Sequence, residues 1–282
     1  MDWLEDLTEE ALLEDPDSRL DVVVDLDRTP RAIDVERLEA LGLEVQFVSK
    51  RVDAVLGSLP ARAIEAARTL PHVVMLEAQG RGYTMMESAG PAVSIGLARD
   101  QLGFYGKDVT VAVLDTGING DHVALDDLDD DPLTDDPKMV AFYDAYTNQT
   151  TTPYDSGEHG TWVAGIAVGT AGNDNPNEGI APQANLVGVR IGSSGGFPEN
   201  TALRGLEWVI DNKDTYNISV MVCSWGIVLG GPNDHNGNSA ISRLADEAVA
   251  AGINVVVAAG NSALSATVTA PGDARDVVTV GS

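Results

Sequence analysis

Cysteine and lysine are nearly missing from this chain. Cys223 is the only cysteine in 282 residues, which excludes a disulfide framework and a thiolate metal cluster. It sits in the apolar run Ile218–Cys223, where a free cysteine reads as a small core residue. No base lies near it in sequence to make it a nucleophile. Of the 17 basic residues only Lys50, Lys107, Lys138 and Lys213 are lysines, against 44 acids. A net charge of −27 excludes nucleic acid and anionic membrane surfaces as partners. So acidic and lysine-poor a surface is expected of a halophilic protein that must stay soluble in high salt. Long apolar runs are also absent: none approaches the roughly 20 residues of a membrane span. The start, Met1-Asp2-Trp3-Leu4-Glu5-Asp6, is acidic where an export signal would be basic. As written, the chain is expected in the cytoplasm.

What is present divides in two. Residues 1–18 read as an acidic leader. Residues 19–78 follow the order β-α-β-β-α-β: a strand at 20–26 and a helix from Asp34, the candidate N-cap, to Leu41 before Gly42. Two strands follow within 43–59, then a helix at 61–70 opened by Pro60 and stopped by Pro71, then a strand at 72–77. That order is the split βαβ, ferredoxin-like unit. Residues 79–108 are broken by Gly80, Gly82, Gly90, Pro91, Gly96, Gly103 and Gly106. They read as a linker with a short helix at 92–102. From 109 to 282 strands and helices alternate, which predicts a doubly wound, mostly parallel α/β sheet with helices on both faces.

Three stretches of the second part carry chemistry. Val111-Ala112-Val113-Leu114-Asp115-Thr116-Gly117-Ile118 is a buried strand ending on an acid, at the sheet edge where ligands collect. A carboxylate there can fix a histidine tautomer, leaving Nε2 free as base; the plain alternative is a turn cap before Gly117. His159-Gly160-Thr161-Trp162-Val163-Ala164-Gly165 opens an apolar helix. An imidazole at such a helix start is disfavoured from resting as a cation. Ala258-Ala259-Gly260-Asn261 closes a second buried strand, and a side-chain amide there suits a developing oxyanion.

Together these stretches resemble the Asp, His and oxyanion-Asn motifs of the subtilisin-like serine peptidases, the subtilases, over about residues 85–282. The resemblance implies a serine endopeptidase acting through an acyl-enzyme, with Asp115, His159 and Asn261 in its site and peptides or proteins as substrates. It implies a substrate held as an added β-strand between Gly195-Gly196-Phe197 and Ser224-Trp225-Gly226, with Ala258, Ala259 and Gly260 forming a pocket wall. More weakly, 19–78 resembles the family's inhibitory propeptide, whose tail, here 79–83, would lie across the cleft. No cofactor is required, although family members often bind calcium and are commonly secreted. The acidic run 126–136 offers oxygen ligands, but Asp131 stands where an EF-hand loop needs Gly.

Two departures stand out. Trp162 replaces the family's second histidine and is expected to pack. The Gly-Thr-Ser-Met/Leu-Ala block of the nucleophile is absent, so the expectation is a zymogen-like chain cut short before its serine. The alternatives are a non-catalytic peptide-binding pseudo-peptidase, or one half of a split peptidase.

Overall fold

The structure, a computed structural model, describes residues 3–79, 81–84, 98–99, 102–129, 133–170, 178–228, 236–261 and 268–281. The expected helix at 92–102 falls almost wholly outside these.

The N-terminal part comprises α1 (Trp3–Glu14), β1 (Arg19–Leu26), α2 (Ala32–Ala40), β2 (Glu44–Ser49), β3 (Ala54–Pro60), a 3-10 turn (Ala61–Ala63), α3 (Ile64–Arg68) and β4 (Val73–Ala78). Its strands form an antiparallel sheet in the order β2-β3-β1-β4. Both faces of β1 are buried, which is why Val22-Val23-Val24 runs apolar without alternation. Val22 and Val24 pack with Leu38 and Ile64 of the unit's own helices. Val23 turns the other way, with Leu56, into the larger core. The acidic leader folds as α1, and its Leu4 and Ala11 are buried. Asp34 is not the N-cap of α2: Arg31 holds that place. The Asp34 carboxylate accepts from the Arg31 backbone N–H at 3.1 Å and from the Arg28 guanidinium at 2.8 and 3.0 Å. The Arg28 pairing is the partner that a capping rule cannot see.

The second part comprises β5 (Arg81–Thr84), β6 (Thr110–Asp115), β7 (Met139–Asp144), β8 (Gln149–Thr150), α4 (His159–Val168), β9 (Asn185–Arg190), β10 (Phe197–Pro198), α5 (Glu199–Tyr216), β11 (Ile218–Cys223), β12 (Trp225–Val228), α6 (Ala240–Ala250), β13 (Asn254–Ala258) and β14 (Val278–Val280). Seven strands form one sheet, β14-β13-β11-β6-β9-β7-β8. All its pairs are parallel except β7 with β8. Helices cover both faces. Val111 and Val113 of β6 pack against Ala164 and Val168 of α4. Ala112 and Leu114 face Leu203 and Leu206 of α5 and Leu244 and Ala245 of α6. Taking a side chain such as Val113 or Leu114 wholly out of water is worth about 1.5–3 kcal/mol. Because the strands run parallel, β6, β11 and β13 end on one edge, at Asp115, Cys223 and Ala258.

The N-terminal sheet docks on α5 and α6 through polar contacts around the shared core. Arg243 pairs with Asp25, Arg51 with Asp211, and Ser49 donates to Glu207. Asn200 donates to Gln46 at 3.0 Å. Burial pushes the Glu207 carboxyl above its ordinary range, against the Ser49 hydrogen bond and the Arg51 charge, which pull it down. A carboxyl whose folded pKa is raised leaves the fold most stable below its unfolded value, and that stability is lost as pH rises through the folded value. Glu207→Gln keeps an acceptor for Ser49 and removes the ionisable group. Its melting temperature is expected to exceed the parent's near pH 7, with the gap closing near pH 4. Thermal melts of both proteins across that range check it.

Candidate active site

Asp115 ends β6 and is 1 % exposed; His159 begins α4 and is 5 % exposed. The His159 Nδ1 lies 2.8 and 2.9 Å from the two Asp115 carboxylate oxygens. The Thr116 backbone N–H donates to Asp115 Oδ1 at 2.7 Å. Burial holds the Asp115 carboxyl above its ordinary range, while its bonds to His159 and Thr116 and the imidazole charge pull it back. This bonding points the Nδ1 proton at Asp115 and leaves Nε2 as the basic atom.

Local chemistry explains the close approach. A Cβ on Gly160 would stand 2.1 Å from the Gly117 carbonyl and 2.9 Å from Asp115 Cβ. Gly117, at φ +114°, would set a Cβ 2.2 Å from the Tyr154 carbonyl. These two glycines let the start of α4 lie on the end of β6. Glu158 enters the helix at φ 65°, a left-handed turn that costs a non-glycine residue about 1–2 kcal/mol. Strain of this kind beside a histidine is common at functional sites.

Asn261 follows β13 at the same sheet edge and is exposed. Gly260 precedes it at φ +105°. Ala259 donates to the Val280 carbonyl at 2.8 Å and its own carbonyl accepts from Thr269 at 3.1 Å, which fixes the Ala258-Ala259-Gly260 path. Ser224 begins the segment opposite. The Trp225 side chain does not line a cleft. It is fully buried, donates from Nε1 to the Leu114 carbonyl at 2.7 Å, and meets Phe197 edge-on at 5.1 Å. Only the backbone of Trp225 and Gly226 is presented to a neighbouring strand.

That neighbour is the chain's own segment, Arg81–Thr84. Thr84, Tyr83, Gly82 and Arg81 pair antiparallel with Trp225, Gly226, Ile227 and Val228. On its other side Gly82 and Arg81 pair with Phe197 and Pro198. The sequence reading placed this second pairing at Gly195-Gly196-Phe197, of which only Phe197 takes part. Gly195 and Gly196 instead close a tight turn, with Ser193 and Gly196 bonded through both backbone pairs and Gly196 at φ +101°. A residue in that conformation cannot extend a ladder, so the pairing starts two residues later than Gly195. Trp162, expected to pack, is 51 % exposed, because its position on α4 turns away from β6.

Cys223 is buried among core side chains, and burial pushes its thiol far above the ordinary range; it is no nucleophile. In the acidic run, carboxylate oxygens of Asp127, Asp129 and Asp136 lie within 4.8 Å of one another. Thr134 Oγ1 lies 3.0 Å from a carboxylate oxygen of Asp129 and of Asp136, sharing its one proton between them. Three carboxylates are a donor set that a hard cation accepts. A cavity of about 470 Å³ lined by Asp25, Arg51, Asp53, Arg243 and Glu247 belongs to the seam with the N-terminal sheet, not to the Asp115–His159 pair.

Sequence reasoning missed Asp155. Its carboxylate accepts from Thr116 Oγ1 at 2.7 Å, the Gly157 N–H at 2.9 Å, the Thr161 N–H at 2.9 Å and Thr161 Oγ1 at 2.5 Å. Its signal was only an acid four residues before His159 in a polar loop.

Comparison with known proteins agrees with this geometry. The sequence profile of the subtilase family matches residues 106–282. Serine protease AprX of Bacillus subtilis (strain 168) is 38 % identical over 183 residues, covering 62 % of this chain and 38 % of that protein. Subtilisin E of the same strain is 30 % identical over 254 residues, covering 85 % of this chain and 58 % of that protein. The chain thus spans less than two thirds of the length of either relative. Among solved structures, fervidolysin from Fervidobacterium pennivorans, a keratinolytic enzyme related to subtilisin, superposes with a TM-score of 0.66 at 18 % identity, over 93 % of this chain and 43 % of that one. The epidermin leader peptide processing protease of Staphylococcus aureus gives 0.65 at 16 % identity, over 94 % and 69 %. Both likenesses concern the fold.

Proposed function

We propose that this chain, which belongs to the subtilase family, supplies the base, its orienter and the oxyanion donor of a serine endopeptidase site. The observation that carries the reading is the buried Asp115–His159 pair, bonded at 2.8 and 2.9 Å at the carboxyl edge of the sheet. His159 Nε2 takes the proton of an attacking serine and returns it to the leaving amine. Asp115 holds the tautomer and stabilises the imidazolium. The Asn261 amide donates to the oxyanion. Peptide substrates lie as an added strand between β10 and β12, the place that Arg81–Thr84 takes in this chain. Residues 19–78 then act as a propeptide-like domain, followed at 79–108 by a linker and the start of the peptidase part, within which Arg81–Thr84 forms β5, and by the peptidase domain at 109–282. Calcium at the Asp127, Asp129 and Asp136 carboxylates would stiffen a loop and takes no part in the chemistry.

The 282 residues contain no Gly-Thr-Ser block. In this reading the nucleophile is contributed by other sequence, joined in cis or carried by a partner chain. The same observation supports a second reading, a peptide-binding pseudo-peptidase. One experiment separates them. The chain alone, and the chain extended at Ser282 with a segment bearing the family's Gly-Thr-Ser-Met-Ala block, are given a peptide ester and a serine-directed fluorophosphonate. We expect the chain alone to show neither turnover nor adduct. The extended chain should show both, and His159→Ala should abolish turnover. An adduct on Ser262, Ser265 or Ser282 of the chain alone would overturn the assignment of the nucleophile to other sequence. An extended chain that binds peptide and never cuts it would favour the pseudo-peptidase.

A further inference from the structure

The pair at the centre of the site is held by two backbone segments that do not otherwise share an element. Asp115 is followed by Thr116 at the end of β6; His159 is followed by Gly160 and Thr161 at the start of α4. One side chain ties the two together. Thr116 Oγ1 accepts from the Gly160 N–H at 2.9 Å and donates to Asp155 Oδ1 at 2.7 Å. Thr161 Oγ1 accepts from the Asn119 N–H at 3.0 Å and donates to Asp155 Oδ2 at 2.5 Å. Two further backbone donors, Gly157 and Thr161, complete the set, one on each oxygen and each at 2.9 Å.

The direction of these bonds is fixed. Each threonine hydroxyl has accepted from a backbone N–H, so its single proton goes to Asp155. The carboxylate thus takes four donors, about its full acceptor capacity. Hydrogen bonds to an ionised acceptor are the stronger kind, and this one sits against Thr116, which is 0 % exposed. The backbone of Asp155 is held as well, by a bridge to Gly117.

We infer that Asp155 is a positioning residue: it locks the start of α4 onto the end of β6 so that the His159 Nδ1 faces both oxygens of Asp115. The inference rests on reading that pair as base and orienter. It differs from a loop staple in one respect. A staple stabilises the fold as a whole, whereas a positioning residue sets how tightly the Nδ1 proton is held.

Asp155→Asn tests the difference in the full 282-residue chain. The amide presents a donor to one pair of donors, so at least one link must break. With histidine labelled by nitrogen-15, the exchange of the His159 Nδ1 proton with water is followed together with the imidazole titration. We expect exchange to quicken about tenfold or more, the equivalent of about 1.4 kcal/mol at 25 °C, and the titration midpoint to move. Thr116→Val leaves the Asp155 carboxylate in place and removes two bonds, the one donated to Asp155 and the one accepted from the Gly160 N–H. It is expected to act in the same direction, and it decides the matter if Asp155→Asn does not fold. Unchanged exchange and titration in the folded variants, even with a lowered melting temperature, would overturn the inference and leave a staple. A parent chain whose Nδ1 carries no protected proton would instead overturn the reading of the pair itself, which separates the two failures.

Discussion

Asp115→Asn is expected to lower kcat of the serine-extended chain by about 10⁴, the effect known for the orienting aspartate of such triads. The geometry says why. The Thr116 N–H holds Oδ1 as an acceptor at 2.7 Å, so an asparagine places its amide nitrogen where Oδ2 is, 2.9 Å from Nδ1. The amide then donates to Nδ1 and drives the ring proton onto Nε2, the atom that must accept from serine. Substrate binding through β10 and β12 is untouched, so KM should stay nearly constant while kcat falls. Asn261→Ala is expected to lose less, about 10²–10³, the magnitude known for subtilisin's own oxyanion asparagine. Steady-state kinetics of the three proteins check both. A loss below about tenfold for Asp115→Asn would show that His159 keeps its tautomer without help.

The second large effect needs no nucleophile. Gly160→Ala should destabilise the 282-residue chain by about 3 kcal/mol, the upper end for overpacking a tight contact. That corresponds to a melting temperature lower by about 6–12 °C for a domain of this size. The obstacle is backbone, the Gly117 carbonyl at 2.1 Å, so no rotamer change relieves it and α4 must lift from β6. The His159–Asp115 bonds should lengthen with it. Gly165→Ala is the control within the same helix. An added Cβ there meets nothing within 4 Å, and exchanging glycine for alanine in a helix gains up to about 1 kcal/mol. Melts of opposite sign for the two variants are the expected result. Similar small changes would mean that the packing of α4 on β6 tolerates a shift.

The sequence made legible whatever depends on pattern. The run Val111-Ala112-Val113-Leu114 reads as a strand buried on two faces, because no polar residue interrupts it, and the sheet covers both. Asp115 was conspicuous as an acid that ends such a run. The strand–helix alternation gave the α/β sheet, and the motifs gave the family. What stayed hidden depends on contacts between distant residues. Asp155 sits in a polar loop without periodicity, and its four donors come from three places in the chain. Nothing in the sequence marks Lys138 as buried, yet it is wholly so and donates to the Pro182 and Ala184 carbonyls at 2.6 and 3.3 Å. Trp225 was read as part of a strand-pairing segment, and its backbone does pair with Thr84, but the reading did not say where its side chain goes. Strand alternation turns its indole into the core, with its N–H on the Leu114 carbonyl. Gly195-Gly196-Phe197 was read as a pairing strand; Phe197 pairs, and the two glycines serve the turn that precedes it.

Arg81–Thr84 lies between β10 and β12 as the middle strand of three. Because this strand is part of the same chain, it competes as an intramolecular rival, and such rivals reach effective concentrations of order millimolar. A peptide offered at micromolar concentration meets a place already filled about a thousand times over. The apparent dissociation constant for any incoming peptide therefore measures the tether as much as the peptide. Cutting the chain just after Thr84 would convert a fixed local concentration into one that dilution can lower.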